Sequence, residues 1–147
     1  MGGGATPAVR ISRLNVKMNM LLRSIIGVKF VEGRPTLDTT TMYNQLGILK
    51  LKNLLKLRIY GLLVSLLNGS RPELFEVLLA QYLTLHNYAT RNRAFRMPLV
   101  SCEVERQAVS YQLINLYNNI PVQFCNTDGN SHQSLVKNFK KHLFSIQ

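Results

Sequence analysis

The sequence predicts a mainly α-helical protein, a small helical bundle of about five to six helices with a basic irregular loop at about residues 84–102. Apolar residues recur at three- and four-residue spacing through most of the chain, which is typical of amphipathic helices. Glycine, proline and capping residues bound these segments. Hydrophobic residues make up 46% of the 147 residues, and this fraction is sufficient to bury a core.

The first predicted helix covers residues 9–26, and Gly27 provides a stop signal at its C-terminal end. One apolar face is predicted from its spacing, consisting of Ile11, Leu14, Met18, Leu21, Leu22 and Ile25. Residues 32–35 read Glu-Gly-Arg-Pro and predict a turn or loop.

A short second helix is expected through residues 43–46, because Asp38 and Thr39 offer capping oxygens before it and Gly47 closes it. The strongest helical pattern follows at residues 50–67. Its leucines lie on more than one face, so we expect this helix to be the central element of the core.

A further helix is predicted to restart at Arg71-Pro72-Glu73 after Asn68-Gly69 and to run to about Leu83, with Pro72 in its first turn. We expect it to pack back on its neighbour as an αα-hairpin. The residues predicted at that contact are Leu74, Phe75, Val77, Leu78 and Tyr82.

The helical period fails at about residues 84–102 and resumes in a helix at about 104–118, before Ile120-Pro121. Residues 126–130 read Asn-Thr-Asp-Gly-Asn and predict a turn. A terminal helix capped by Ser131 or Ser134 is then expected to bury Leu135, Val136, Phe139, Leu143 and Phe144. The chain thus divides into a Gly-rich leader at 1–8, for which a myristoylation signal at Gly2 is the alternative reading, a helical region at 9–83, and the basic loop with the C-terminal helices at 84–147.

The charge balance indicates an anionic partner. Eighteen Lys and Arg stand against seven Asp and Glu, which gives a formal net charge of +11. Such an excess opposes compaction by self-repulsion, and nucleic acid is the commonest polyanion that neutralises it. An acidic membrane surface or an acidic protein is the next alternative, and a solvated basic surface without a partner is the third.

Catalysis by this chain alone is not expected. The seven acids form only the close pairs Glu73/Glu76 and Glu103/Glu105, so the clustered carboxylates of a metal-dependent phosphodiester site are missing from the pattern. The three histidines and two cysteines show no metal-ligand spacing, and neither a nucleophile motif nor a Gly-rich phosphate loop is present. We therefore predict no enzyme activity, metal or cofactor.

The cysteines and the hydropathy pattern bear on location. Cys102 and Cys125 do not indicate a disulfide framework, so a reducing intracellular location, nuclear or cytoplasmic, is expected. The most apolar stretch, residues 49–67, is interrupted by four cations, so no membrane span is predicted.

Candidate nucleic-acid contacts fall in three groups. Cations cluster on a flank of the first helix and on the exposed face of the last one. In the loop, arginines alternate with aromatic residues, a combination that suits phosphate contact with base stacking; the alternative is that the aromatics pack in the core. The predicted nucleic-acid-binding residues are Arg10, Arg13, Lys17, His86, Tyr88, Arg91, Arg93, Arg96, Lys137, Lys140 and Lys141.

Five short segments, in order, resemble the region downstream of the polymerase domain in reverse transcriptases of non-LTR (LINE, jockey-like) retrotransposons. Residues 86–91 read His-Asn-Tyr-Ala-Thr-Arg and resemble the family's H-x-Y-x-T-R signature. Residues 14–28 resemble a helix that precedes this signature in the family, and residues 42–49 resemble the Leu-Gly step that also precedes it. Residues 110–121 and 134–143 resemble the S-Y-R-G-P-K-L-W-N-S-L-P segment and the closing basic helix.

The resemblance implies a non-catalytic fragment, the thumb and post-polymerase tail of an RNA-directed DNA polymerase. The family's Tyr-x-Asp-Asp metal-binding turn would lie upstream of every segment present here. Such a fragment is expected to bind RNA or an RNA/DNA duplex, either as a truncated copy of the element or as a fragment recruited into a host gene. Tyr117 replaces the family's Trp, and Gln112-Leu113 replace its Arg-Gly. The alternatives are a helical scaffold protein with a homo-oligomeric or helical protein partner, and a remnant without function.

Overall fold

The computed structural model describes residues 7–79 and 108–147. These residues are mainly helical, which confirms the predicted fold class, while the predicted loop at about 84–102 lies outside them. In chain order the elements are α1 (Pro7–Ile26), β1 (Phe30–Val31), β2 (Arg34–Pro35), α2 (Thr39–Leu46), α3 (Leu51–Leu67), α4 (Pro72–Leu78), α5 (Val109–Asn119), a 3-10 helix (Val122–Phe124) and α6 (His132–Ile146).

The chain divides into two compact units. Unit 1 comprises the described residues of Met1–Leu54 together with Leu143–Gln147, and unit 2 comprises those of Leu55–His142. The division at residues 8 and 83 that the sequence suggests stays a prediction.

Helix α1 ends as expected and buries one edge of the predicted face, where Met18 and Leu22 join the core. Gly27 has a φ of +75°, and the backbone N–H groups of Gly27 and Val28 both donate to the carbonyl of Arg23. Leu22 is buried, whereas Leu14, Leu21 and Ile25 are 47%, 60% and 66% exposed. The prediction was wrong for these three residues because apolar residues occupy most of the helix circumference, and α1 packs through only one side.

The core of unit 1 forms between α1 and α2. Leu22 of α1 packs with Met42 and Tyr43 of α2, which are 0% and 1% exposed. Half-buried apolar residues surround these three, namely Met18, Ile26, Val28, Leu37, Leu46 and Ile48. The Tyr43 hydroxyl donates to Asn19 Oδ1 at 2.8 Å, so the polar end of the ring is satisfied. Burial raises the pKa of Tyr43, and the nearby Arg23 partly opposes this shift.

Local signals fix the segment between these helices. Glu32 and Gly33 both have positive φ, 53° and 77°, as a two-residue type I′ hairpin turn requires, and they join β1 to β2. The sequence predicted this turn but not the two short strands. Asp38 caps α2 as predicted, accepting from the Thr41 N–H at 2.9 Å, and the bonds from Thr41 lower the pKa of its carboxyl group. Gly47, with a φ of +67°, ends the helix.

The side chain of Gln147 holds the connection between α2 and α3 in unit 1. Its Oε1 accepts from the Lys50 N–H at 2.7 Å and from Asn53 Nδ2 at 3.3 Å. Its Nε2 donates to Asn44 Oδ1 at 2.8 Å and to the Ile48 carbonyl at 3.3 Å. One carboxamide therefore satisfies four polar groups around the start of α3.

Three aromatic rings form the centre of unit 2. Tyr60 of α3 stacks on Phe139 of α6 with ring centroids 4.2 Å apart, and Phe124 packs edge-on against Phe139 at 5.3 Å. The Tyr60 hydroxyl donates to the Phe124 carbonyl at 2.8 Å. Tyr60 is fully buried, and burial raises its pKa to about 12. The other buried apolar residues of this unit are Leu63, Val64, Leu66, Leu79, Leu113, Ile114, Leu116, Ile120 and Leu135.

Two predicted helix boundaries in unit 2 were wrong. Helix α4 begins at Pro72 as expected but ends at Leu78, because the chain leaves helical geometry at the buried Leu79. Val77, predicted to pack, is 67% exposed. Helix α5 begins at Val109 rather than near 104, because Ala108 is extended with a ψ of 144°.

Helix α6 agrees closely with its prediction. Of the two candidate caps, Ser131 is the one used, since its Oγ accepts from the Ser134 N–H at 3.1 Å. Leu135, Phe139 and Leu143 are buried, and the two remaining members of the predicted stripe are half-buried. Gly129, with a φ of +73°, forms the predicted turn before the helix.

Replacing Tyr60 by Phe tests the central hydrogen bond of unit 2. We expect Tyr60→Phe to lower the free energy of unfolding by about 1–3 kcal/mol, because the buried Phe124 carbonyl loses its donor. Urea unfolding measures the loss. Tyr111→Phe is the control, since the hydroxyl of the half-buried Tyr111 makes no hydrogen bond to another described residue, and its effect should stay within about 0.5 kcal/mol. Equal effects of both variants would contradict the role of Tyr60.

The stability of Tyr60→Phe should also differ from that of the wild type in its dependence on high pH. The pKa of Tyr60 is raised to about 12 in the folded protein, so an unfolded Tyr60 ionises first. The stability from the neutral phenol is fully present below about pH 10 and is lost as pH rises towards 12. The stability of Tyr60→Phe should therefore fall less than that of the wild type as the pH rises. Urea unfolding measured from pH 9 to 12 would detect the difference.

Candidate nucleic-acid interface

Three predicted contact residues share the exposed side of α1. Arg10, Arg13 and Lys17 are all exposed and follow three- and four-residue spacing. At 3.6 residues per turn they lie within an arc of about 60°. The helix contains no acidic residue, so no carboxylate on α1 neutralises these cations.

Helix α6 carries a second basic face, in unit 2. Lys137, Lys140 and Lys141 are exposed, and they lie on the side of the helix opposite to Leu135 and Phe139. This helix also contains no acidic residue. The buried stripe fixes the rotation of the helix, so the lysines cannot turn inward without exposing the core.

The five predicted contacts of the loop, His86, Tyr88, Arg91, Arg93 and Arg96, lie outside the described residues. Their role therefore stays a prediction. The α1 face lies in unit 1 and the α6 face in unit 2.

The structure also separates surface cations from cations with internal contacts. Arg23 is half-buried and donates to Thr39 Oγ1 at 3.4 Å, while its buried Nε has no hydrogen-bond partner among the described residues. The Lys50 ammonium donates to Thr40 Oγ1 at 2.6 Å. Both cations therefore contribute to the packing of unit 1.

Further exposed cations lie outside the predicted set. Lys52, Lys56 and Arg58 of α3 are exposed, as is Arg71 before α4. The acid-free run from Tyr43 to Arg71 was the signal for them, but sequence spacing alone did not assign them to a surface, because α3 has leucines on several faces.

Apolar side chains border the basic face of α1. Leu14, Leu21 and Ile25 lie on one side of it, and Val16 and Met20 lie on the other. All five are between 47% and 66% exposed. A face that combines cations with exposed apolar groups has the composition of a binding surface.

The electrostatics of both faces favour a polyanion. Like charges at three- and four-residue spacing destabilise a helix by a few tenths of a kcal/mol per pair, and no acid on either helix offsets this cost. An anion bound along either face would relieve it. Within residues 7–79 and 108–147, no group of three or more His, Cys, Asp or Glu is arranged to hold a metal ion.

Comparisons of the chain with protein-family models, curated proteins and solved structures found no match. No helix in the described part of the chain is long and apolar enough to cross a membrane. The resemblance to retrotransposon reverse transcriptases stays a prediction.

Proposed function

We propose that this chain binds RNA, or an RNA/DNA duplex, through phosphate contacts made by its basic helix faces. The observation that carries the proposal is the pair of acid-free helix faces, Arg10/Arg13/Lys17 on α1 and Lys137/Lys140/Lys141 on α6. Contacts of this kind fix a nucleic acid by its backbone and carry little sequence information. Binding is micromolar or weaker, with weak sequence preference.

Three features support a polyanion over a solvated basic surface. The cations concentrate on single faces instead of alternating with acids. Fourteen Lys and Arg occur in the described residues against five Asp and Glu, so surface ion pairs cannot neutralise them. The buried apolar stripe of α6 fixes the rotation of the helix, so its lysines stay on the exposed side, where they can contact phosphates.

The resemblance in the sequence suggests which nucleic acid is bound. If the chain derives from the tail of a non-LTR reverse transcriptase, its ligand is the template RNA or the template–primer duplex, and catalysis belongs to a polymerase domain. The chain itself then acts without a metal or cofactor, inside the cell. This assignment rests on the five sequence segments.

Neutralising the α6 face tests the proposal. The triple variant Lys137→Gln, Lys140→Gln, Lys141→Gln should weaken binding to a single-stranded RNA at least tenfold at low salt. Each lost phosphate contact should also flatten the dependence of log affinity on log salt concentration by about 0.7–0.9. Fluorescence anisotropy at several salt concentrations measures both quantities.

The matched control removes the same charge elsewhere. Lys29, Arg34 and Arg71 are exposed and lie on neither basic face, so Lys29→Gln, Arg34→Gln, Arg71→Gln changes the net charge equally. We expect this variant to lose less affinity and to keep most of the salt slope. Equal losses of affinity in both variants would mean that net charge alone determines binding. A wild-type affinity that is insensitive to salt would refute the electrostatic proposal.

The exposed apolar residues of α1 favour a second candidate function, a helical scaffold with a homo-oligomeric or helical protein partner. Met20, Leu21 and Ile25 are each at least 60% exposed. If they form a contact between copies, sedimentation should detect oligomers that depend on concentration and that Leu21→Gln with Ile25→Gln dissociates. Monomers at all concentrations would reject self-association through this face.

A further inference from the structure

Unit 2 contains an open cleft beside the basic face of α6. Its volume is about 380 Å³, which lies within the range of small-ligand sites. Three elements meet there: the 3-10 helix at 122–124, the turn at 126–130, and α6. The lining residues are Gln123, Phe124, Asn130, Leu135, Asn138 and His142.

The floor of the cleft is apolar and held rigidly. Phe124 and Leu135 are 6% and 4% exposed. The Phe124 ring is fixed by its edge-on contact with Phe139, and the His142 imidazole lies against it with ring centroids 5.1 Å apart. Because Phe124 and Leu135 are almost fully covered, the half-buried His142 imidazole is the aromatic surface that a planar ligand would meet in the cleft.

The rim consists of neutral hydrogen-bonding groups. Gln123, Asn130 and Asn138 each carry a carboxamide, which offers both donors and an acceptor. Asn130 Nδ2 donates to the carbonyls of Asn126 at 3.5 Å and Asp128 at 3.3 Å, which restrains the amide. The side-chain carboxamides of Gln123 and Asn138 make no hydrogen bond within the part of the chain that the structure describes. Among the described residues, no Asp, Glu, Lys or Arg lines the cleft.

This combination matches the chemistry of a nucleobase. Proteins recognise unstacked bases by placing the flat faces against aromatic side chains and by hydrogen-bonding their edges. Carboxamides pair with base edges because both present donors next to acceptors. A charged ligand group would find no counter-charge inside the cleft, so the part of the ligand that enters is neutral.

Charges next to the cleft indicate where a phosphate would lie. Lys141 follows Asn138 by three residues, a spacing that makes their side chains neighbours on α6, and Lys137 precedes Lys141 by four. On the other side, Asp128 stands in the turn two residues before Asn130. The field therefore attracts a phosphate towards α6 and repels it from the turn.

We infer that the cleft formed by Gln123, Phe124, Asn130, Asn138 and His142 takes one unstacked base of a single-stranded RNA while Lys137 and Lys141 contact the adjoining phosphates. The inference rests on the proposed RNA binding and adds a base-binding site to it. Base and phosphate together could also come from a free nucleotide. The test distinguishes the two sources.

The experiment uses the full chain, a single-stranded 12-nucleotide RNA of mixed sequence, the same RNA in a duplex, and adenosine monophosphate. In the double variant Gln123→Ala, Asn138→Ala, affinity for the single strand should fall about 25-fold, since each of the two lost hydrogen bonds is worth about fivefold. The salt slope should not change, because no cation is removed. Affinity for the duplex, whose bases stay paired, should also be unchanged.

Gln133→Ala is the matched control, because Gln133 is an exposed carboxamide of α6 that does not line the cleft. It should bind the single strand as the wild type does. Unchanged single-strand affinity in the double variant, with a normal wild-type salt slope, would overturn the cleft inference and leave the proposed function standing. The inference would also be overturned if the double variant lost the wild type's affinity for adenosine monophosphate but kept its affinity for the 12-nucleotide RNA. Failure of the wild type to bind any RNA would overturn both.

Discussion

The constraint on which the structure depends is the excess of positive charge. In the described residues fourteen Lys and Arg face five Asp and Glu, and no charged side chain is buried. Burying an unpaired ammonium or guanidinium group is costly, and α1 and α6 each keep three cations on an exposed side. Each of these two helices therefore has an acid-free basic face on its exposed side and a buried face on its packed side. The charge that opposes compaction is thereby collected where an anion can reach it.

Neutral contacts provide the cohesion that ion pairs cannot supply. In unit 2, Tyr60 stacks on Phe139 and donates its hydroxyl proton to the Phe124 carbonyl, so packing and hydrogen bonding meet at one residue. In unit 1, the carboxamide of Gln147 satisfies four polar groups near the start of α3. Neither contact depends on net charge.

Sequence patterns predicted the helices that have one clear apolar side and failed where that side was ambiguous. Helix α6 was predicted well because its buried residues form a single stripe opposite three lysines. In α1 the apolar residues nearly encircle the helix, and tertiary packing chose the side around Leu22. The strands at Phe30–Val31 and Arg34–Pro35 are too short for a periodic signal. Gln123, Asn130 and Asn138 are ordinary polar residues in the sequence, and only the fold brings them around one cleft.

The central claim is that nucleic acid lies along specific basic faces instead of being held by net charge. Lysine acetylation footprinting, read by mass spectrometry with and without RNA, tests this claim directly. We predict strong protection of Lys17, Lys137, Lys140 and Lys141 by bound RNA, with little protection of the exposed Lys29. Uniform protection of all exposed lysines, or none at these four, would contradict the account.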